Sequence, residues 1–160
     1  MSRTVTQMQA QLGLQNGQQG AVNIIQKNYY GYDFVFPSVA SGATATASVL
    51  IQADANFFVQ AMTYFCWDLT ANAAIVPPYA TAQITVQSSG TTFFDVPVPI
   101  SSFAGDGRLP FILPEARIIP MNALVVMALT NVFSANADFF QITMHGKKLF
   151  SSNPGNATGY

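Results

Sequence analysis

His145 is the single histidine of the chain and Cys66 its single cysteine. Any Ser-His-Asp or Cys-His site must run through one of them, because a hydroxyl or thiol needs a neighbouring base to become a nucleophile at neutral pH. Around His145 the residue types alternate: Gln141, Thr143 and His145 fall on one side, Phe140, Ile142 and Met144 on the other. That parity puts the imidazole on a polar face, immediately before Gly146, as a solvated or interface histidine rather than a general base. Cys66 lies mid-strand among aromatic residues, where a thiol packs as a small hydrophobe. One cysteine forms no intrachain disulfide and no cysteine-based metal cluster.

Carboxylates offer the next chemistry. The chain has Asp33, Asp54, Asp68, Asp95, Asp106, Asp138 and Glu115, spread singly. Two of them meeting in a pocket would suit acid–base hydrolysis of a glycoside. Asp54, Asp95 and Asp106 stand where an aspartate caps a turn, and Gly105-Asp106-Gly107 is too short to be a calcium loop. Phosphate loops and zinc spacings are absent from the sequence. Asn156-Ala157-Thr158 matches the glycosylation sequon, but no basic region followed by an apolar stretch marks a secretory signal. Phe57, Phe58, Tyr64, Phe65 and Trp67 have two readings: a face that stacks sugars, as in a lectin-like module, or core packing, which the predominance of phenylalanine favours. The expectation is no catalytic, cofactor-binding or metal-ligating residue, and no enzyme.

Charge is the outlier of the composition. Only 8% of residues are Asp, Glu, Lys or Arg, against roughly 25% in average soluble domains. Low charge removes the repulsion that keeps monomers apart and lowers the desolvation cost of docking, so composition points to assembly. A net charge of -1, with no Lys or Arg between Lys27 and Arg108, offers no footprint for a phosphate backbone, and no nucleic acid is expected as partner. The most apolar run, Ile118 to Leu129, is too short for a membrane span and contains Pro120 and Asn122. No membrane partner is expected.

The elements that position these residues are strands. Tyr30, Tyr32, Phe34 and Phe36 alternate with Gly31, Asp33 and Val35 up to Pro37, which is expected to end the run. Ala43 to Ile51 alternates small residues and threonines. Over Asn56 to Asp68, strict alternation sets Phe57, Val59, Ala61, Thr63, Phe65 and Trp67 against Phe58, Gln60, Met62, Tyr64, Cys66 and Asp68. Thr81 to Gln87 leads through Ser88-Ser89-Gly90 into Thr92-Phe93-Phe94, a hairpin signal. Arg108 to Leu113 and Arg117 to Ile119 are short pieces punctuated by proline, followed by Ala123 to Thr130 and Asp138 to His145. About eight strands with turn residues at the joints predict an all-β, antiparallel, jelly-roll-like sandwich.

Three regions follow: an extended polar arm over residues 1–28 with seven glutamines between Ser2 and Asn28, the sandwich over 29–150, and a polar tail over 151–160. The arm lacks the apolar density to fold by itself. Its apolar residues Val5, Met8, Leu12, Leu14, Ile24 and Ile25 are assigned to partner contacts.

Three features together resemble a known group: the Gln-rich arm, the charge-poor sandwich, and the closing stretches Arg117-Ile118-Ile119-Pro120-Met121-Asn122-Ala123-Leu124-Val125-Val126 and Phe139-Phe140-Gln141-Ile142-Thr143-Met144-His145-Gly146-Lys147-Lys148. The chain looks like the small jelly-roll virion proteins of tailed bacteriophages, particularly capsid cement or decoration proteins, over Tyr29 to Leu149. That resemblance implies an oligomer clamped over capsomer junctions, bound to itself and to a major capsid protein, made in the host cytoplasm and resident in the virion. Head-completion, collar and spike proteins share the texture, and a carbohydrate- or receptor-binding sandwich is the alternative.

Overall fold

The computed structural model describes residues 24–132 and 136–151. The arm contacts assigned to Val5, Met8, Leu12 and Leu14 lie outside them, as do residues 152–160. Strand β1 (Ile24–Val39) reaches back into the segment read as arm, and of Ile24 and Ile25 only the backbone is described. Pro37 does not end this strand. Among the described residues β1 is the edge of its sheet, where alternate backbone N–H groups turn away from the neighbouring strand, the setting in which a sheet tolerates proline.

After β1 come β2 (Thr44–Leu50), β3 (Asn56–Asp68), the short β4 (Ala73–Ala74), β5 (Ala80–Val86), the two-residue β6 (Thr91–Thr92) and β7 (Val98–Pro99), then β8 (Phe111–Ile119), β9 (Leu124–Asn131) and β10 (Asp138–Ser151). One sheet runs β1-β10-β3, and β3 is flanked on its far side by β8 and β4; the other runs β2-β9-β5, with β6 and β7 beyond β5. Apart from the short β4 and the β5-β6-β7 run, successive strands alternate between the sheets. This connectivity is the jelly roll, an antiparallel sandwich. Among the described residues there is no α-helix, only a 3-10 turn at Ile100–Ser102.

The core lies between the sheets. Phe34, Phe36, Phe57 and Phe140 from the first sheet meet Ile84, Met127 and Leu129 from the second, all fully buried. Each such side chain contributes roughly 1.5–3 kcal/mol of burial free energy. The expected alternations hold in β1, β5, β9 and β10. The hairpin is present: β5 pairs with β6 through Thr85–Thr92 and Val86–Thr91, and Gly90 takes the positive φ of 64° that its turn requires. Between β8 and β9, Asn122 holds φ 60°, a value asparagine tolerates better than most residues.

Strict alternation fails in β3. Phe57 and Val59 are buried, but so are Met62, Cys66 and Asp68, which have the opposite parity. The cause is one extra residue. On the β10 side Val59 faces Gly146 and Ala61 faces His145, leaving Gln60 without an opposite number. This β-bulge turns the pleat over, so the two halves of β3 bury opposite parities. On the other side β8 changes register at the same level, Val59 facing Arg117 and Ala61 facing Ile112, so Leu113 to Ala116 loop out around Pro114.

Gly146 is what lets the strands close at the bulge. A Cβ there would stand 2.0 Å from the carbonyl oxygen of Phe58 and 2.8 Å from its carbon, both backbone atoms that cannot swing away. Gly146→Ala is therefore expected to destabilise the fold by about 1–3 kcal/mol or more. Gly107→Ala, whose Cβ would meet nothing within 4 Å, should leave the denaturant midpoint nearly unchanged. Equal midpoints for the two variants would show that the bulge does not depend on this close approach.

Candidate functional site

The flip in β3 decides which side chains line the outward face of the β1-β10-β3 sheet. Beyond the bulge Thr63, Phe65 and Trp67 point out, beside Phe139, Gln141, Thr143 and His145 of β10. Phe65 stacks on Trp67 at 6.0 Å between ring centres and 19° between planes, and meets Phe139 edge-on at 6.1 Å. Phe65 is 48% exposed. The indole N–H of Trp67 donates to Asn72 Oδ1 at 3.3 Å. Of the aromatic residues singled out from sequence, Phe57 is core, while Phe65 and Trp67 form an outward patch.

Further along the same face His145 is half-buried, on the polar side as expected. Its Nε2 is 2.7 Å from Thr63 Oγ1, and the Tyr29 ring stacks on it at 5.6 Å. Burial holds the imidazole below its usual pKa, with the nearby Asp33 charge opposing. Among the described residues no carboxylate hydrogen-bonds the other ring nitrogen; Asp33 instead accepts from Thr143 Oγ1 at 2.6 Å. The described residues make a threonine–histidine couple, and among them no third group stands where it would orient a triad. Cys66 is buried on the core side, and burial, reinforced by the Asp138 charge, pushes its thiol up to about 12. Cys66 thus stays protonated at neutral pH.

Two carboxylates do come together. Asp68 ends β3 and Asp138 opens β10, and they are cross-strand partners. Asp68 Oδ1 accepts the backbone N–H groups of Thr70 at 2.7 Å and Ala71 at 2.8 Å, and its Oδ2 accepts from Asn136 Nδ2 at 2.8 Å. Asn131, at the end of β9, donates through Nδ2 to Asp138 Oδ2 at 3.1 Å and to the carbonyl of Val39 at 2.9 Å. The cluster ties the ends of β1, β3, β9 and β10 together. Both carboxyls are buried, Asp138 at 1% exposure. Among the described residues Asp138 Oδ1 has no hydrogen-bond partner.

Sequence reasoning singled out none of these four polar residues as a cluster. The signal was parity: Asp68 shares a side with Met62 and Cys66, and Asp138 shares one with Phe140 and Ile142, so both were placed to be buried and in need of partners. Of the turn-capping aspartates, Asp106 behaves as expected, accepting from the backbone N–H groups of Arg108 and Leu109. Asp54 differs: it forms an ion pair at 2.9 Å with Lys148, which also bonds Gln52 and lies over the Tyr30 ring. Among the described residues no group of three or more His, Cys, Asp or Glu side chains is arranged to hold a metal.

No protein-family model matches the sequence, and no curated protein matches it. Among solved structures the chain is similar to the VP2 subviral particle of infectious bursal disease virus, at 14% identity and a TM-score of 0.32. The match covers 79% of this chain and 39% of that one, so the chain spans well under half the length of the viral protein. The jelly roll is assigned from the strand order above, not from this similarity.

The buried pair sets a pH dependence of two opposite signs. Hydrogen bonds from Ala71, Asn136 and Thr70 hold the Asp68 pKa below the ordinary carboxylate value. Its stabilisation is present above that value and lost as pH falls through the lowered one. Burial, with the Asp68 charge adding, raises the Asp138 pKa, so ionising it costs stability as pH rises from the ordinary value through the raised one. Asp138→Asn should therefore gain on the parent as pH rises through the acid range. Asp68→Asn should lose on it over the same rise and melt lower at pH 7. Thermal melts of the three proteins between pH 3 and 7 check this; parallel curves would show that neither carboxyl is coupled to folding.

Proposed function

We propose that this chain is a non-enzymatic structural component of a virion shell, of the capsid cement or decoration type, acting through contacts with copies of itself and with a major capsid protein. One observation carries the reading: a surface that keeps large apolar side chains in water while having almost no charge to offer. Leu109 is 77% exposed, Ile112 74% and Val76 67%. Two of the few cations are engaged within their own chain. Lys148 pairs with Asp54, and Arg117 donates to the carbonyl oxygens of Thr92 and Phe93 while lying over the Phe93 ring at 4.8 Å. Apolar contact multiplied over many copies needs little affinity in each. The Gln-rich segment that precedes β1, residues 1–23, would add a reach to neighbouring subunits.

A second reading, a carbohydrate- or receptor-binding sandwich, is favoured by one feature: Trp67 stands outside the core, stacked on Phe65 and next to Asn72. A sugar ring stacked on this patch would quench indole emission, and a glycan array gives the complementary test. Saturable binding of one glycan class, lost in Trp67→Ala with the fold intact, would put this reading first.

For the shell reading, particles carrying the chain should rupture at a higher temperature than particles lacking it, with little change on raising monovalent salt, because screening acts on exposed charge pairs. Equal rupture temperatures would contradict the cement role. His145→Gln and Cys66→Ala should both assemble like the parent. A large defect in either variant with the fold intact would argue for a catalytic role instead.

A further inference from the structure

Among the described residues the two sheets have open edges, and these are not alike. An unpaired edge strand offers a row of N–H and C=O groups to any extended chain, and proteins blunt it with charge, proline, bulges or brevity. Strand β1 carries Lys27, Asp33 and Pro37. Beyond β3, β4 is two residues long and β8 contains Pro114, Glu115 and Arg117. Beyond β5, β6 and β7 are two residues each, and Pro99 lies in β7. Strand β2 has none of these. Its sequence, Thr44-Ala45-Thr46-Ala47-Ser48-Val49-Leu50, is uncharged, lacks proline and glycine, and pairs in unbroken register with β9 from Thr44–Thr130 to Leu50–Leu124.

The backbone direction of each β2 residue is fixed by that pairing. At its ends Asn131 N–H donates to Ala43 O and Ile51 N–H to Ala123 O. In an antiparallel ladder alternate residues turn both groups to the same neighbour, so Ala45, Ala47 and Val49 bond to β9. The N–H and C=O groups of Thr44, Thr46, Ser48 and Leu50 face the open edge, where no described residue meets them.

We infer that β2 is a homotypic docking edge, pairing antiparallel with β2 of a second copy about a two-fold axis through Ala47, so that the two β2-β9-β5 sheets become one. In this register Thr46 faces the partner's Ser48, and Thr44 faces its Leu50. Every outward backbone group then has a partner, which a register shifted to either side would not achieve. The residue on the axis forms the close, non-hydrogen-bonded pair, with Cα atoms about 4.5 Å apart, and the small Ala47 suits that spacing. Thr46 and Ser48 are a favourable polar cross-strand pair, and no like charges oppose each other anywhere along the contact. As a biological contact the pairing rests on the assembly reading above; as a physical one it is testable on the isolated full chain.

Ser48→Pro removes an outward N–H and leaves the β9 ladder untouched. By sedimentation the parent should associate at micromolar concentration, and the variant, shown folded by circular dichroism, should associate roughly tenfold or more weakly. Should Ser48→Pro unfold, cysteine placement tests the register directly. Ala47→Cys should oxidise to a disulfide-linked dimer, since two-fold pairing brings residue 47 against its own copy at a separation a disulfide can span. Ala45→Cys, which faces Val49 of the partner, should not. A folded Ser48→Pro that associates like the parent, or an Ala45→Cys that cross-links as fast as Ala47→Cys, overturns the inference. If β2 fails these tests while the chain still binds its particle, the pairing is wrong and the assembly reading stands.

Discussion

The pairing of β3 with β10, broken once at Gln60, is the constraint on which the rest of this structure depends. A sheet residue faces either the core or the outside, and a single extra residue exchanges the two. Below the bulge Phe57 and Val59 fill the core; above it Met62 and Cys66 do, while Phe65 and Trp67 turn outward. Without the bulge the aromatic residues above it would enter the core and the outer patch would not exist. Gly146, through its approach to the Phe58 carbonyl, is the local condition that permits this arrangement.

Much of the fold was legible because one face of each sheet is buried. Alternation in β1, β5, β9 and β10 identified strands and core faces together, and turn chemistry at Ser88-Ser89-Gly90 identified the hairpin. The parts that were not legible share a physical cause: they depend on what lies opposite. Alternation over Asn56–Asp68 looks unbroken within its own strand, and the interruption is apparent only against β10. Pro37 reads as a stop because its tolerance depends on β1 being an edge. The same holds for the polar cluster, where Asn131, Asn136 and Asp138 are near neighbours in sequence but Asp68 and the Val39 carbonyl are remote from them and join them only at the closing ends of four strands.

Composition and structure bear on function through one shared property. With so few charges, the molecule uses Lys148, Asp54 and Arg117 to fasten its own loops and strands, and apart from Asp33, Asp95, Arg108 and Glu115 the exposed described surface is mostly uncharged, with scattered large apolar groups. Such a surface is poorly suited to repelling neighbours and well suited to meeting them without desolvating ions. The Asp68–Asp138 pair fits the same economy: it is buried, and its hydrogen bonds hold strand ends together.

Electron cryo-microscopy of a native particle containing this chain is the most direct test of the assembly account. The account predicts jelly-roll density seated over capsomer junctions in repeated copies, with the exposed apolar residues around Ile112 and Leu109 covered by neighbouring protein. Density confined to an appendage, with the Phe65–Trp67–Phe139 patch open to solvent at its tip, or particles from which the chain is absent, would contradict it.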